Sequence, residues 1–202
     1  MIDALPDGLT ARHLAEEDHP QVLAVLDSWW GGMKGPAGAL ERSLLLPRLY
    51  FQHFTTTSFV VERDEEERQG NGQRRGQDAG QPESLSGGGA GGGGRVAAFL
   101  VGFLSQSETD AAYVHFVGVD PQLHGHGIGR SLYRAFFALA RSHGRRYVHC
   151  VTSPQNTASQ AFHARLGFTV STVKPDYDGP GLDRVTFTFD LAANRGLPEG
   201  AE

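Results

Sequence analysis

Gly125, Gly127 and Gly129 stand at alternate positions in the stretch VGVDPQLHGHGIGR, Val117 to Arg130. Upstream, Val117 and Val119 end an apolar run that begins at Ala111, and Pro121 stops it because proline has no N–H for a strand ladder. Downstream, Ile128, Leu132, Ala135, Phe136 and Leu139 fall at helical spacing. A strand end, a glycine turn and a helix start in succession aim unpaired backbone N–H groups at one point, with the positive end of the helix dipole behind them. The chemistry of such a point is anion binding, most often of phosphate. Glycine also removes the Cβ atoms that would hold a bulky pyrophosphate away.

Two common phosphate-binding patterns fail against this stretch. A P-loop needs Lys and then Ser or Thr after its last glycine; here Arg130-Ser131 follows, and the four-residue gap between glycines is missing. A dinucleotide fingerprint needs a third glycine where Arg130 stands. His124 and His126 could join His115 as metal ligands, but no thiolate or carboxylate accompanies them at matching spacing, so no metal is expected. Cys150, the lone cysteine, lies in the apolar run Tyr147 to Val151 and reads as a buried, inert thiol.

The elements that must position the loop follow from the patterning. Leu9 to Leu14 reads as a first strand. Pro20 opens a helix whose apolar face carries Val22, Leu23, Val25, Leu26, Trp29 and Trp30, and Gly31-Gly32 ends it. Leu40 to Phe54 is a second helical region interrupted at Pro47. Strands are expected at Ser58 to Glu62, Val96 to Leu104, Ala111 to Val119, Arg145 to Thr152, Phe168 to Val173 and Arg184 to Leu191. The loop helix should run to His143 with Gly144 closing it, and Asn156 should cap a further helix that ends at Gly167.

The segment 63–94 differs in kind. It holds eleven glycines, four Arg and six Asp or Glu, with Leu85 as its one sizeable apolar residue. It cannot bury enough surface to offset its ordering entropy, so it reads as a mobile insertion joining two antiparallel neighbours. Its GGGAGGGG run precedes a strand rather than a helix, which argues for a linker over a phosphate loop. Residues 195–202 read as a frayed tail.

The 202 residues suit one domain with a sizeable core. A formal charge of −5 argues against a general nucleic-acid binder. There is no long apolar run for a membrane span and no secretory pattern at the start, so a cytoplasmic protein is expected.

The stretch Val119-Asp120-Pro121 followed by His124-Gly125-His126-Gly127-Ile128-Gly129 resembles the pyrophosphate loop of the GNAT superfamily of N-acetyltransferases, with His124 where Arg or Gln is usual. A second block, Asn156 to Phe168, resembles that family's Asn-x-x-Ala-x-x-Phe-Tyr-x-x-x-Gly-Phe helix, with His163 where Tyr is frequent. The resemblance implies an α/β (α+β) fold. Its sheet would be central, mixed and mostly antiparallel, with about six to seven strands flanked by about four helices. It further implies direct acetyl transfer from acetyl-CoA to an amine of a small molecule or peptide. The alternative is a CoA-binding module of the same fold that has lost catalysis. The resemblance also allows a homodimer.

On that resemblance, acetyl-CoA lies between the strands ending at Val119 and Thr152. The backbone of Val117, Gly118 and Val119 meets the pantetheine arm and polarises the acetyl carbonyl. The loop His124, Gly125, His126, Gly127, Ile128, Gly129 and Arg130 takes the pyrophosphate, and Asn156 touches the pantetheine. Trp29, Trp30, Tyr50, His53 and Tyr177 are the acceptor-side candidates. An ordinary alkylammonium is neutral in only about 1 molecule in 10³ at pH 7, so a base is needed. His115 and Glu108 are the candidates, His115 sharing the face of Val117 by alternation. His163 is the candidate acid for the leaving thiolate, since a histidine of ordinary pKa is about a quarter protonated at pH 7.

Overall fold

The computed structural model describes Ile2 and residues 5–29, 35–64 and 95–194. Trp30, Gly31, Gly32 and nearly all of the glycine-rich segment and the tail fall outside the described residues. The elements are β1 Leu9–His13, α1 His19–Trp29, α2 Gly35–Leu45, α3 Leu49–His53, β2 Phe59–Arg63, β3 Arg95–Leu104 and β4 Ala111–Val119. There follow α4 Ile128–Ser142, β5 Tyr147–Thr152, α5 Thr157–Leu166, β6 Thr169–Val170 and β7 Val185–Asp190.

The seven strands form one sheet in the order β1-β2-β3-β4-β5-β7-β6, parallel only between β4 and β5. This is the mixed, mostly antiparallel sheet the sequence implies. The α4 crossover makes the parallel step, because two parallel neighbours need a long connection. Two apolar layers hold the sheet. On one face, Leu132, Phe136, Phe137 and Ala140 of α4 and Leu166 of α5 pack on Ala98, Leu100, Ala112, Val114 and Val148. On the other, Val22 and Leu26 of α1 and Phe51 of α3 pack on Val60, Phe99 and Val101. Each fully buried Val, Leu or Phe among them contributes about 1.5–3 kcal/mol.

Two departures from the sequence reading shape the site. The strand expected over Phe168 to Val173 is only Thr169–Val170, beyond which a bridge of Lys174 to Arg184 holds the chain at the sheet edge. The second departure is a β-bulge. Val101 pairs with Phe116 and Gly102 with Val114, so His115 is an extra residue on β4. A bulge interrupts the alternation of faces. His115 therefore does not share the face of Val117. Val117 packs into the α4 layer, whereas His115 stacks on Tyr50 of α3 at 4.3 Å.

Candidate active site

The ladder between β4 and β5 has three pairs, Ala111 with Tyr147, Ala112 with Val148 and Tyr113 with His149. Beyond Tyr113 the β4–β5 ladder stops, while β5 stays paired along its whole length with β7 on its other edge. The bulge at His115 lies just past the parting, where extra twist turns β4 away. Backbone groups of β4 from His115 to Val119 thus lose their β5 partners and face a wedge-shaped opening.

The glycine loop closes the wide end of this opening. Asp120 shapes its approach: its side chain accepts from the Gln122 amide at 3.0 Å and from Arg63 Nη2 at 3.0 Å. Gly125 and Gly127 have φ of +83° and +76°, the left-handed region that a side chain resists, and open space surrounds the position of a Cβ at each. Gly127 is the N-cap of α4, and no side chain caps that end. Gly129 does a different job. A Cβ there would stand 3.2 Å from Phe162 and 3.7 Å from Val119, so its absence lets α4 approach β4 and α5. The loop is thus an uncapped helix end with room above it, which fits a phosphate.

Both loop histidines are held by the backbone. His126 Nδ1 donates to the His124 carbonyl at 3.1 Å, and His124 Nε2 donates to the Val119 carbonyl at 3.1 Å. His124, standing where Arg or Gln is expected, latches the loop to the end of β4. Ile128 is buried in the α4 core, and Arg130 is half-buried on the first turn of α4. Gly118 lets the Phe99 ring lie flat against β4, since a Cβ would meet that ring at 2.7 Å. Asn156 caps α5, its Oδ1 accepting from the Ser159 amide at 3.1 Å.

The structure buries His163, the candidate acid, in the core. The ring is 4 % exposed and stacks on Phe187 at 4.3 Å. Nδ1 lies 2.8 Å from the Ser159 carbonyl, which can only accept, so Nδ1 carries the proton. Nε2 lies 2.7 Å from the Tyr133 hydroxyl and takes its proton as acceptor. Burial pushes the His163 pKa down to about 4, partly offset by the Ser159 bond. At pH 7 the ring is neutral, in the core, with both nitrogens engaged. The imidazolium expected of a free histidine is absent. The same Tyr133 hydroxyl contacts the Cys150 thiol, which burial pushes up. Tyr133 was not singled out in the sequence, because its partner is 30 residues away.

His115 is different. Nε2 donates to the Leu45 carbonyl at 2.7 Å, leaving Nδ1 as a lone-pair acceptor with no hydrogen-bond partner among the described residues. Burial lowers its pKa, opposed by the Leu45 bond. The ring is therefore a neutral base of fixed tautomer beside the opening. Glu108 lies exposed in the turn before β4, and the opposite end of this nine-residue strand, about 26 Å on at ~3.3 Å per residue, meets the glycine loop.

On the α1–α3 face, a row of rings borders His115. Tyr50, Phe54, Phe103 and Tyr113 follow one another at centroid spacings of 5.3, 5.5 and 5.4 Å. In the other direction Phe116, Phe99 and Trp29 follow at 5.9 and 6.1 Å. The Tyr113 phenol is pushed above its ordinary value, first by burial and then by Tyr177, Cys150, Asp178 and Tyr50 nearby. Tyr177 is exposed in the loop between β6 and β7. His53 is exposed at the end of α3, and Trp30 lies outside the described residues.

The family model described as "Acetyltransferase (GNAT) family" matches residues 47–168. A mycothiol acetyltransferase of Gordonia bronchialis is 35% identical over 86 residues, covering 42% of this chain and 28% of that protein. The chain spans about a quarter of the length of the curated relatives it matches. Among solved structures, Ard1 from Thermoplasma volcanium superposes with a TM-score of 0.57 at 17% identity, covering 91% of this chain and 97% of that one. The diaminobutyrate acetyltransferase EctA from Paenibacillus lautus, solved with L-2,4-diaminobutyric acid and coenzyme A, superposes with a TM-score of 0.55 at 14% identity, covering 89% and 93%. These likenesses are of fold.

Proposed function

The chain belongs to the acetyltransferase (GNAT) family, and on that premise we propose that it transfers an acetyl group from acetyl-CoA directly to an amine of a small molecule or peptide. The observation that carries this reading is the uncapped, left-handed glycine turn at the start of α4, set at the wide end of the parting between β4 and β5. Gly125, His126, Gly127, Ile128, Gly129 and Arg130 would hold the pyrophosphate through main-chain N–H groups and the Arg130 charge. The β4 backbone from Val117 to Val119 would meet the pantetheine. The Val119 carbonyl already accepts from His124, so one of its two lone pairs remains for a ligand.

Acetyl-CoA, when bound, supplies the thioester: a C–N bond forms as the C–S bond breaks, and a proton passes from the amine to the departing thiolate. His115 Nδ1 is the group in this chain suited to take the amine proton. Its tautomer is set by Leu45, and burial keeps it neutral. His163 is not assigned the return of that proton, because its neutral ring holds both neighbours by hydrogen bonds. The proton would come from the base or from water. A cytoplasmic location is part of the same proposal, supported by a lone, buried Cys150.

His163's withdrawal from proton transfer also favours the second reading, a CoA-binding module without catalysis. One experiment separates them. Acetyl-CoA binding is measured by titration calorimetry, and CoA release is followed with an amine panel. Binding with transfer supports the enzyme, binding without transfer supports the module, and no binding removes both.

A further inference from the structure

Leu45 and Tyr50 both meet the His115 ring, one from each side of the corner between α2 and α3. Leu45 is the last residue of α2, where carbonyls lack intrahelical partners, and His115 Nε2 donates to its carbonyl at 2.7 Å. Tyr50, in the first turn of α3, lies with its ring 4.3 Å from the imidazole at an interplanar angle of 15°. The corner itself is anchored. Leu46 and Phe51 are fully buried, and His19 of α1 joins them. Its Nε2 donates to the Leu46 carbonyl at 3.0 Å, and its ring meets Phe51 edge-on at 4.9 Å.

The two contacts constrain different things. The hydrogen bond selects the tautomer, because a carbonyl can only accept. It constrains the ring plane poorly. The torsion of an imidazole about its Cβ–Cγ bond is broad, and Nε2 lies closer to that axis than Nδ1 does. Rotation can therefore swing Nδ1 aside while Nε2 stays within reach of Leu45. The near-parallel phenol blocks that rotation, since turning the imidazole drives its edge into the Tyr50 ring. Phe116, 6.3 Å away and tilted by 59°, gives no parallel face.

Resting on the acetyl-transfer reading, we infer that Tyr50 is a positioning residue: its ring fixes the plane of His115 and so aims Nδ1 at the amine. It acts through His115 and touches no reacting atom itself. A base must come within about 2.6–3.2 Å of the group whose proton it takes. A misplacement of about 1 Å can cost ~10²-fold in rate. The Tyr50 hydroxyl bonds to no described residue, so the ring alone carries the role.

The test uses the full chain with Tyr50→Phe, Tyr50→Leu, His115→Gln, and Tyr50→Leu combined with His115→Gln. CoA release with an amine panel gives kcat and the KM for acetyl-CoA, and nitrogen-15 NMR of the imidazole reports the His115 tautomer independently of turnover. Tyr50→Phe should keep kcat. Tyr50→Leu should lower it by at least tenfold with the KM for acetyl-CoA unchanged, and the Nε2–H tautomer should give way to a mixture. In the His115→Gln background, Tyr50→Leu should lower kcat no further, because a residue acting through another then has nothing left to aim. An unchanged kcat in Tyr50→Leu, or a loss of the same size in both backgrounds, overturns the inference. A tautomer mixture found only in Tyr50→Leu, with no acetyl transfer by any of the chains, upholds the placing of the ring by Tyr50 and removes the acetyl-transfer reading instead.

Discussion

The Tyr133 hydroxyl and His163 Nε2 meet at 2.7 Å inside the core, tying α4 to α5. His163→Phe would leave that fully buried hydroxyl without its acceptor. The expected cost is about 1–3 kcal/mol, read as a lower urea midpoint. Adding Tyr133→Phe should recover part of it, because the orphaned group is then gone. Transfer per folded molecule should be little changed. A fall of about 10²-fold in single-turnover rate would instead reinstate His163 as an acid.

The same ring makes stability depend on pH. An unfolded histidine titrates near 6.5, and in the fold His163 is pushed down to about 4. Between those values the unfolded chain binds a proton that the folded chain refuses. Stability is therefore complete above about pH 6.5 and is lost as pH falls toward 4. At about 1.36 kcal/mol per unit the size is roughly 3 kcal/mol. Unfolding curves between pH 7 and 4 should be markedly flatter with pH in His163→Phe than in the unchanged chain.

Much of the fold was legible because its signals are local. The apolar run Ala111 to Val119, the change to helical spacing at Ile128 and the Asn156 cap each lie within a few residues, and the structure has all three. What escaped depends on partners distant in the chain. The bulge at His115 exists only in register with Val101 and Gly102 of β3, so strict alternation put His115 on the wrong face. His163 could be read as a ring on α5, but its neutrality comes from burial, in a core where Phe187 stacks on it. Arg63, read as the first residue of a loose segment, ends β2 and braces Asp120 under the glycine loop.

Two glycines of the loop should respond differently to substitution. Gly127 has φ of +76° at the N-cap of α4, so a β-branched side chain there forces the turn to change. Gly127→Val should weaken acetyl-CoA binding more than Arg130→Ala does. Gly129→Ala keeps its backbone and only presses on the Phe162 ring at 3.2 Å, so its effect should be smaller than that of Gly127→Val. Calorimetric titration of the three variants gives the order, and an unchanged affinity in Gly127→Val would remove the loop as the phosphate site.

We propose that residues 65–94 are dispensable for the fold. Arg63 and Arg95 are cross-strand partners, so the two roots stand about 5 Å apart. A short Asn-Gly-type turn can close that distance. Arg63 must stay, since it holds Asp120, and Asp64 must stay, since its amide donates to the Gly8 carbonyl at 2.9 Å. The shortened chain should keep one cooperative thermal transition and nearly unchanged acetyl-CoA affinity. Loss of that transition would make the segment a structural part.

His115 should set the acidic limb of the pH–rate profile. A base must be unprotonated to act, and burial holds this ring below its ordinary value, with the Leu45 bond opposing. Rate at saturating acetyl-CoA should therefore hold level as pH falls through 6.5 and drop only below it. Rising pH also frees more of the amine itself, so the comparison needs an amine of low pKa that is neutral throughout. His115→Gln can keep a donor toward Leu45 while lacking a titrating ring, and should lower turnover by roughly 10²-fold and abolish that limb. Acetyl-CoA affinity should hardly move, because the glycine loop lies at the other end of the opening. If the variant instead binds acetyl-CoA poorly and keeps the limb, His115 only supports the bulge, and the base must be sought among the acceptor-side residues or water.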